Sequence, residues 1–375
     1  MRWRESERPP TESVDRVPGP DVVRALALIG VVVMNYHGYL IIRGASPSPG
    51  WWTDVFDPFA GPLLTRFAST FVLTAGVGIT LLTRRVVADR AAGVEGADAA
   101  VLAMRWRLVR RGLLLYVLGQ VLEVIWNGTI IVYYGAMFVV AAVLFTLASR
   151  WVAVVGIVCA LAGWAINTWV FWQREDGQDV SWLLQPGTDT VRRFVFDLAV
   201  NGTHPLLPWM AFLCAGIILG RHLDDPTWRP LVAGLGVMLF ASGVLASTLA
   251  STPFTEELLS TSPRDRGLAY VASVLGTALI AFAAISFLAD RATGLGADLV
   301  DPLRRAGQMT LTLYVAHILV FNLVVDWLGV VEPAGLGTAL LFSAVFWIAA
   351  IAAGTAWHRR VGRGPLERIY RSFGG

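Results

Sequence analysis

The stretch Val22-Val-Arg-Ala-Leu-Ala-Leu-Ile-Gly-Val-Val-Val-Met-Asn-Tyr-His-Gly-Tyr-Leu-Ile-Ile42 decides the fold. A bilayer's hydrocarbon core is about 30 Å thick and takes roughly 20 apolar residues of helix. This run supplies them, with Arg24, Asn35 and His37 as its strongly polar members. A charged, Pro-containing tail precedes it and no small-residue cleavage site follows, so it is expected to remain as an uncleaved helix. Nine more stretches read the same way, at approximately 58–83, 107–126, 130–148, 151–172, 204–220, 228–249, 268–289, 308–329 and 335–357. Only Asn127-Gly128-Thr129 separates the third from the fourth, which predicts a tight hairpin. The expected fold class is all-α, a polytopic membrane bundle of about ten transmembrane helices. A cytoplasmic tail would cover 1–21, the transmembrane domain 22–357 and a second cytoplasmic tail 358–375.

Composition agrees. Of 375 residues 55 % are apolar and 15 % charged, against about 25 % charged in a soluble domain, and the mean hydropathy is +0.61. A water-soluble domain is excluded, and no nucleic-acid partner is expected. Cys159 and Cys214 lie inside apolar segments, so neither a disulfide framework nor a metal site is expected. All 30 cationic side chains are Arg, which points to a GC-rich bacterial coding bias.

Arginine placement sets the expected orientation, because Arg is retained on the cytoplasmic side of short loops. With the N-terminus inside, ten spans put 23 Arg in the cytoplasm, leave Arg43, Arg174, Arg192, Arg193, Arg264 and Arg266 outside, and place Arg66 within a span. Both termini are therefore expected on the cytoplasmic face of a bacterial inner membrane. Trp51, Trp52, Trp126, Trp172, Trp182 and Trp327 would gather at the outer interface, where amphipathic rings are favoured. The outer loop 173–203 is long enough to cover a site.

Ionisable groups inside a bilayer are expensive and mark function by default. At about 1.5 Å of rise per residue, Asn35 and His37 lie roughly 20 Å up from the cytoplasmic side, and Arg66 about 12 Å in from the outer side. By the same rise Glu123 falls in the outer third of its helix and His317 about 13 Å along its own, near the midplane. Arg66 and Glu123 are expected to meet each other or a shared polar cavity, since an unpaired charge at that depth costs several kcal/mol or more; a register-fixing ion pair is the structural alternative. His317, within the apolar run Leu313 to Val320, has no interface to reach. Desolvation disfavours an imidazolium there, so a neutral ring able to accept a proton is expected. Asn35 and His37 point about 200° apart on their helix, so only one of them faces a cavity centre. His37 is the choice that can act as a base, and it is expected to line one cavity with His317.

Six motifs carry a family resemblance. Asp21-Val-Val-Arg-Ala-Leu-Ala-Leu-Ile-Gly-Val-Val-Val-Met-Asn35 resembles the opening helix of membrane acyltransferases of the heparan-α-glucosaminide N-acetyltransferase-like type. Phe71-Val-Leu-Thr-Ala-Gly-Val-Gly78 is similar to their second helix and Thr129-Ile-Ile-Val-Tyr-Tyr-Gly135 to their fourth. His204-Pro-Leu-Leu-Pro-Trp209, followed by Gly216 and Gly220-Arg221, resembles the family's Pro-Leu-x-Pro-Trp helix. Gly307-Gln-Met-Thr-Leu-Thr-Leu-Tyr-Val-Ala-His317 resembles the late helix that carries a histidine, and Gly364-Pro-Leu-Glu-Arg368 the bacterial C-terminal signature. The lysosomal relatives place a catalytic His in the loop after the first helix, and the corresponding loop here, Gly44 to Asp57, holds none; the distant acyltransferase-3 family places a His at a fixed distance beyond an N-terminal Arg, and counted from Arg24 that family-aligned position is Asn35.

The resemblance implies transfer of an acyl group, acetyl among the candidates, from cytoplasmic acyl-CoA to an envelope glycan or lipid acceptor. His317 and His37 would be catalytic, as general bases with an unperturbed pKa near working pH. Asn35, Arg66, Glu123 and Tyr133 would contact substrate or the oxyanion. Arg84, Arg85, Arg107, Arg110 and Arg111 would hold the CoA phosphates, whose oxygens suit the guanidinium fork. For each of these arginines the plain alternative is an anchor on anionic membrane lipid. The rival function is a secondary transporter or a lipid or glycan translocase. That class commonly shows internal repeats and helices broken in matching halves, and the sequence shows no repeat.

Overall fold

The computed structural model describes residues 18–46, 50–185 and 190–374, and among them every regular element is helical. In chain order the helices are α1 (Gly19–Ile42), α2 (Trp51–Val55), α3 (Arg66–Ala91), α4 (Ala97–Glu123), α5 (Ile130–Leu144), α6 (Ser149–Glu175), α7 (Ser181–Leu184) and α8 (Val191–Phe196). There follow α9 (Leu206–Arg221), α10 (Trp228–Thr248), α11 (Pro253–Leu258), α12 (Leu268–Asp290), α13 (Leu295–Gly307), α14 (Thr310–Phe321), α15 (Leu336–Val361) and α16 (Pro365–Gly374). Asp197–Asn201 prolongs α8, and Asn322–Trp327 prolongs α14, each as a widened turn.

Among the described residues seven helices are long and apolar enough to cross a membrane. An eighth is added if Val191–Asn201 and Leu206–Arg221, bent by 52° at their junction, count as one span. The expected count of about ten is not reached by this measure. The middle of α4 carries Arg105, Arg107, Arg110 and Arg111, and α5 is 15 residues long, short of the roughly 20 that a bilayer needs. A second boundary shifts as well: Pro58–Thr65 is a turn that ends with Thr65 in the left-handed region, φ 65°. Arg66 is thus the first residue of α3 and does not sit the expected two turns deep.

The central element is α1, which packs against α3, α12, α13, α14 and α15. Its buried positions include Val23, Leu28, Val32, Tyr36 and Leu40, so it is apolar on all sides. Without a hydrophobic drive between helices in lipid, close contact depends on small residues. The α3–α9 seam closes at Gly76, where a β-carbon would strike the carbonyl of Leu213, and the α4–α5 hairpin at Gly135, where it would strike that of Gly112. Arginine contacts at one end of the bundle include Arg229 on Asp290 and Arg221 on Ser149, and there Gln308 donates to Asp21 at 2.9 Å. At the other end Arg43 pairs with Asp326.

Candidate functional site

The C-terminal part of α1 meets α14 where Asn35 and His317 touch, with the Asn35 amide nitrogen 3.2 Å from His317 Nε2. With the amide nitrogen as the donor, Nε2 accepts and the imidazole proton is assigned to Nδ1, a buried atom with no hydrogen-bond partner among the described residues. Tyr36 donates its hydroxyl to the His317 carbonyl at 3.0 Å. Trp126 and Tyr314 stand edge-on to the imidazole, with ring centroids 5.4 and 4.7 Å away. Just past His317 the helix widens from Asn322, whose amide donates to the carbonyl of Ile318 at 2.9 Å; single wide turns of this kind frequently accompany functional positions.

Trp126 was expected at the outer interface and is instead 1 % exposed, stacked on Tyr39 at 3.6 Å. The reason lies in the short hairpin. Glu123 accepts from the backbone N–H of Gly128 at 2.9 Å and of Thr129 at 2.8 Å, neutralising the positive start of α5 and folding Trp126 inward. Tyr314 joins the same layer through Thr129 Oγ1, 3.0 Å away, and the N–H of Ile130, 3.3 Å away.

A second outer patch adjoins it. Tyr133 donates to Asp197 at 3.3 Å and accepts from the Thr203 N–H at 3.0 Å. Arg266 donates to the carbonyls of Val200 and Gly202, and burial pushes its guanidinium below the usual range. The loop 173–203 therefore does reach the site, through Asp197; its residues 186–189 lie outside the described set.

Arg66 and Glu123 do not meet. Arg66 donates to the carbonyls of Pro62 and Ser273, the latter at 2.9 Å, and to Thr277 Oγ1, with its guanidinium 5.6 Å from the Phe240 ring. Neutral acceptors on the α3–α12 seam, and backbone amides for Glu123, replace the expected ion pair. His37 also parts from His317. Its Nδ1 donates to the carbonyl of Phe56 at 2.8 Å, on the side of α1 that faces the α2 loop. Asn35, the family-aligned residue, is the one turned to His317.

The five phosphate-site arginines do not converge as a set. Arg84 and Arg85 are exposed, and Arg85 lies 3.9 Å from Asp89 of its own helix. Arg107 is half-buried. Arg110 and Arg111 meet α16: Arg110 donates to the Gly374 carbonyl at 3.3 Å, and Arg111 is buried 4.9 Å from the Tyr370 ring. Sequence reasoning missed Tyr370 as the neighbour of Arg111. Arg24 donates to the Thr74 carbonyl at 3.3 Å and lies 3.8 Å from Asp21, and Tyr134 keeps a buried hydroxyl without a partner among the described residues. Arg111 beside Tyr370 and Tyr314 beside His317 are two separate polar clusters. The signal for Tyr134 and Tyr314 was available, since both fall inside motifs quoted above.

Among the described residues no three His, Cys, Asp or Glu side chains converge in a way that could hold a metal ion. An all-α membrane bundle with a buried His paired to a half-buried Asn at one end and arginines at the other defines a class, the polytopic membrane proteins with an internal polar site. Residues 16–250 match the family described as heparan-alpha-glucosaminide N-acetyltransferase, catalytic, and residues 220–374 match the family described as protein of unknown function (DUF418). The first match covers more than half of the chain, which therefore belongs to the heparan-alpha-glucosaminide N-acetyltransferase catalytic family, as its motifs implied. Membership brings a membrane acetyltransferase-like function. No curated protein matches the chain.

Proposed function

We propose that this protein takes an acyl group, acetyl in the first instance, from acyl-CoA at its arginine-rich end and delivers it to an amine or hydroxyl of an envelope glycan or lipid at the opposite end. The arginine-rich end, with both termini, faces the cytoplasm of a bacterial inner membrane. The observation that carries this reading is the Asn35–His317 pair inside an apolar bundle whose other end is rich in arginine, in a chain of this family. Arg111 and Arg24 supply the cations that CoA phosphates need, and access to Arg111 runs past Tyr370.

In the transfer the acceptor nitrogen or oxygen attacks the thioester carbonyl, forming a C–N or C–O bond as the C–S bond breaks. The acceptor's proton passes to His317 Nδ1 and from there to the departing CoA thiolate. For Nδ1 to be a base, the Asn35 amide turns over so that its oxygen accepts from Nε2–H. The turned amide has the same shape, so the switch needs no repacking. Asn35 is then a positioning residue that chooses the tautomer, and the Tyr314 hydroxyl is the donor best placed for the oxyanion.

The test uses purified protein in sealed vesicles, with radiolabelled acetyl-CoA on the arginine-rich side and glucosamine or glucose on the other. Labelled sugar on the far side is expected; its absence with both acceptors would overturn the reading. Orientation is tested separately, by alkaline phosphatase fused after Gly375. The fusion should be inactive in cells, and activity would reverse the bundle. One observation favours a translocase, the 52° break before α9, since discontinuous helices line many transport sites. Movement of unacylated sugar without acetyl transfer would select it.

A further inference from the structure

α14 and α15 both pack against α1 yet barely meet each other, which leaves an apolar groove of about 710 Å³ between them. Its α15 wall changes along the helix. Phe342, Val345 and Phe346 narrow one half, while Ala349, Ala353 and Gly354 open the other. From Phe346 to Trp357 the helix rises about 16 Å, close to one leaflet of a hydrocarbon core about 30 Å thick. The open half is therefore wide enough and long enough for a lipid chain of a single leaflet.

That half ends in positive charge. Trp357, the last groove residue of α15, donates its indole N–H to the Arg363 carbonyl at 2.9 Å, which holds the turn after α15 against the groove mouth. Gly362, at φ 91°, makes that turn in a conformation other side chains avoid. Arg360 follows Trp357 by three residues and so continues the groove face of the helix. Arg359, Arg360 and Arg363 are all exposed. The nearest acid in sequence, Glu367, is engaged elsewhere, accepting from the backbone N–H of Leu311 and Thr312 at 2.7 and 3.0 Å.

We propose that this groove seats an acyl chain of an anionic phospholipid of the leaflet at the arginine-rich end, with the lipid phosphate on Arg360 and Arg363. The apolar lining selects the chain, and cations at one end only set which way the lipid points. The proposal does not depend on the acyl-transfer reading.

Native mass spectrometry of the purified full chain, with phosphatidylglycerol or phosphatidylcholine of identical chains added, tests it. One arginine near an anionic headgroup is worth roughly fivefold in binding, so wild type should prefer phosphatidylglycerol about 25-fold. R360Q/R363Q should abolish the preference while phosphatidylcholine binding stays the same. Ala353→Trp should fill the groove and weaken both lipids. Ala349→Leu, a milder change in the same half, carries the same expectation should the tryptophan variant not fold. Arg150→Gln, at the start of α6 and away from the groove, should leave the preference intact. Equal binding of the two lipids by wild type, a preference that survives R360Q/R363Q or is lost in Arg150→Gln, or unchanged binding in the groove-filling variants would each overturn the proposal.

Discussion

Asn35 and His37 sit two residues apart on one helix, and both are enclosed by the fold, yet their surroundings differ in kind. Asn35 faces α14, where its amide holds His317 among Tyr314, Trp126 and Tyr36. His37 faces the segment between α1 and α3, where it ties one loop carbonyl, that of Phe56, to the helix. The first face carries the His317 ring among aromatic neighbours and the second a ring tied to a loop, while each ring keeps one buried nitrogen without a partner among the described residues, Nδ1 of His317 and Nε2 of His37. Residue chemistry alone favours His37 as a base, and helix geometry assigns it a structural part. In a membrane bundle the side of the helix outweighs the identity of the side chain.

The largest effect that separates the two faces is expected for His317→Ala. Loss of a general base costs about 10²–10⁴-fold in rate, so labelled acetyl transfer should fall by that factor while size-exclusion behaviour is kept. Transfer within a few-fold of wild type would remove His317 from the chemistry. A smaller effect, and of another kind, is expected for His37→Phe. One neutral hydrogen bond is worth about 0.5–1.5 kcal/mol, so unfolding in detergent should come earlier by that amount while the rate per folded molecule holds. A rate loss comparable to that of His317→Ala would put the chemistry on both faces of α1.

Much of this was legible in the sequence, and the gaps have physical causes. Apolar run length located the long helices, because a bilayer leaves little choice of structure to such a run. The same measure started α3 too early, since Pro58, Gly61 and Pro62 lie in a turn whose end is set by the backbone angle at Thr65, to which hydropathy is blind. The Arg66–Glu123 pairing failed because both groups found backbone partners, and every residue offers those regardless of its side chain. Trp126 was misplaced because hairpin geometry, not amphipathicity, decides where its ring goes. His317 was found because an ionisable side chain in an apolar run stands out; of the adjacent tyrosines Tyr133 was chosen and Tyr134 was not, because hydropathy does not tell which side of a helix a residue faces.

The central claim is that Asn35 and His317 act as one unit from which His37 is absent, and a double-mutant cycle on acetyl transfer reads it directly. Residues that act together are strongly non-additive. Asn35→Ala alone should cost about 10²-fold, as loss of a positioned amide does, and Asn35→Ala with His317→Ala should be no slower than His317→Ala alone. Losses that multiply, or an Asn35→Ala protein as fast as wild type, would contradict the pairing.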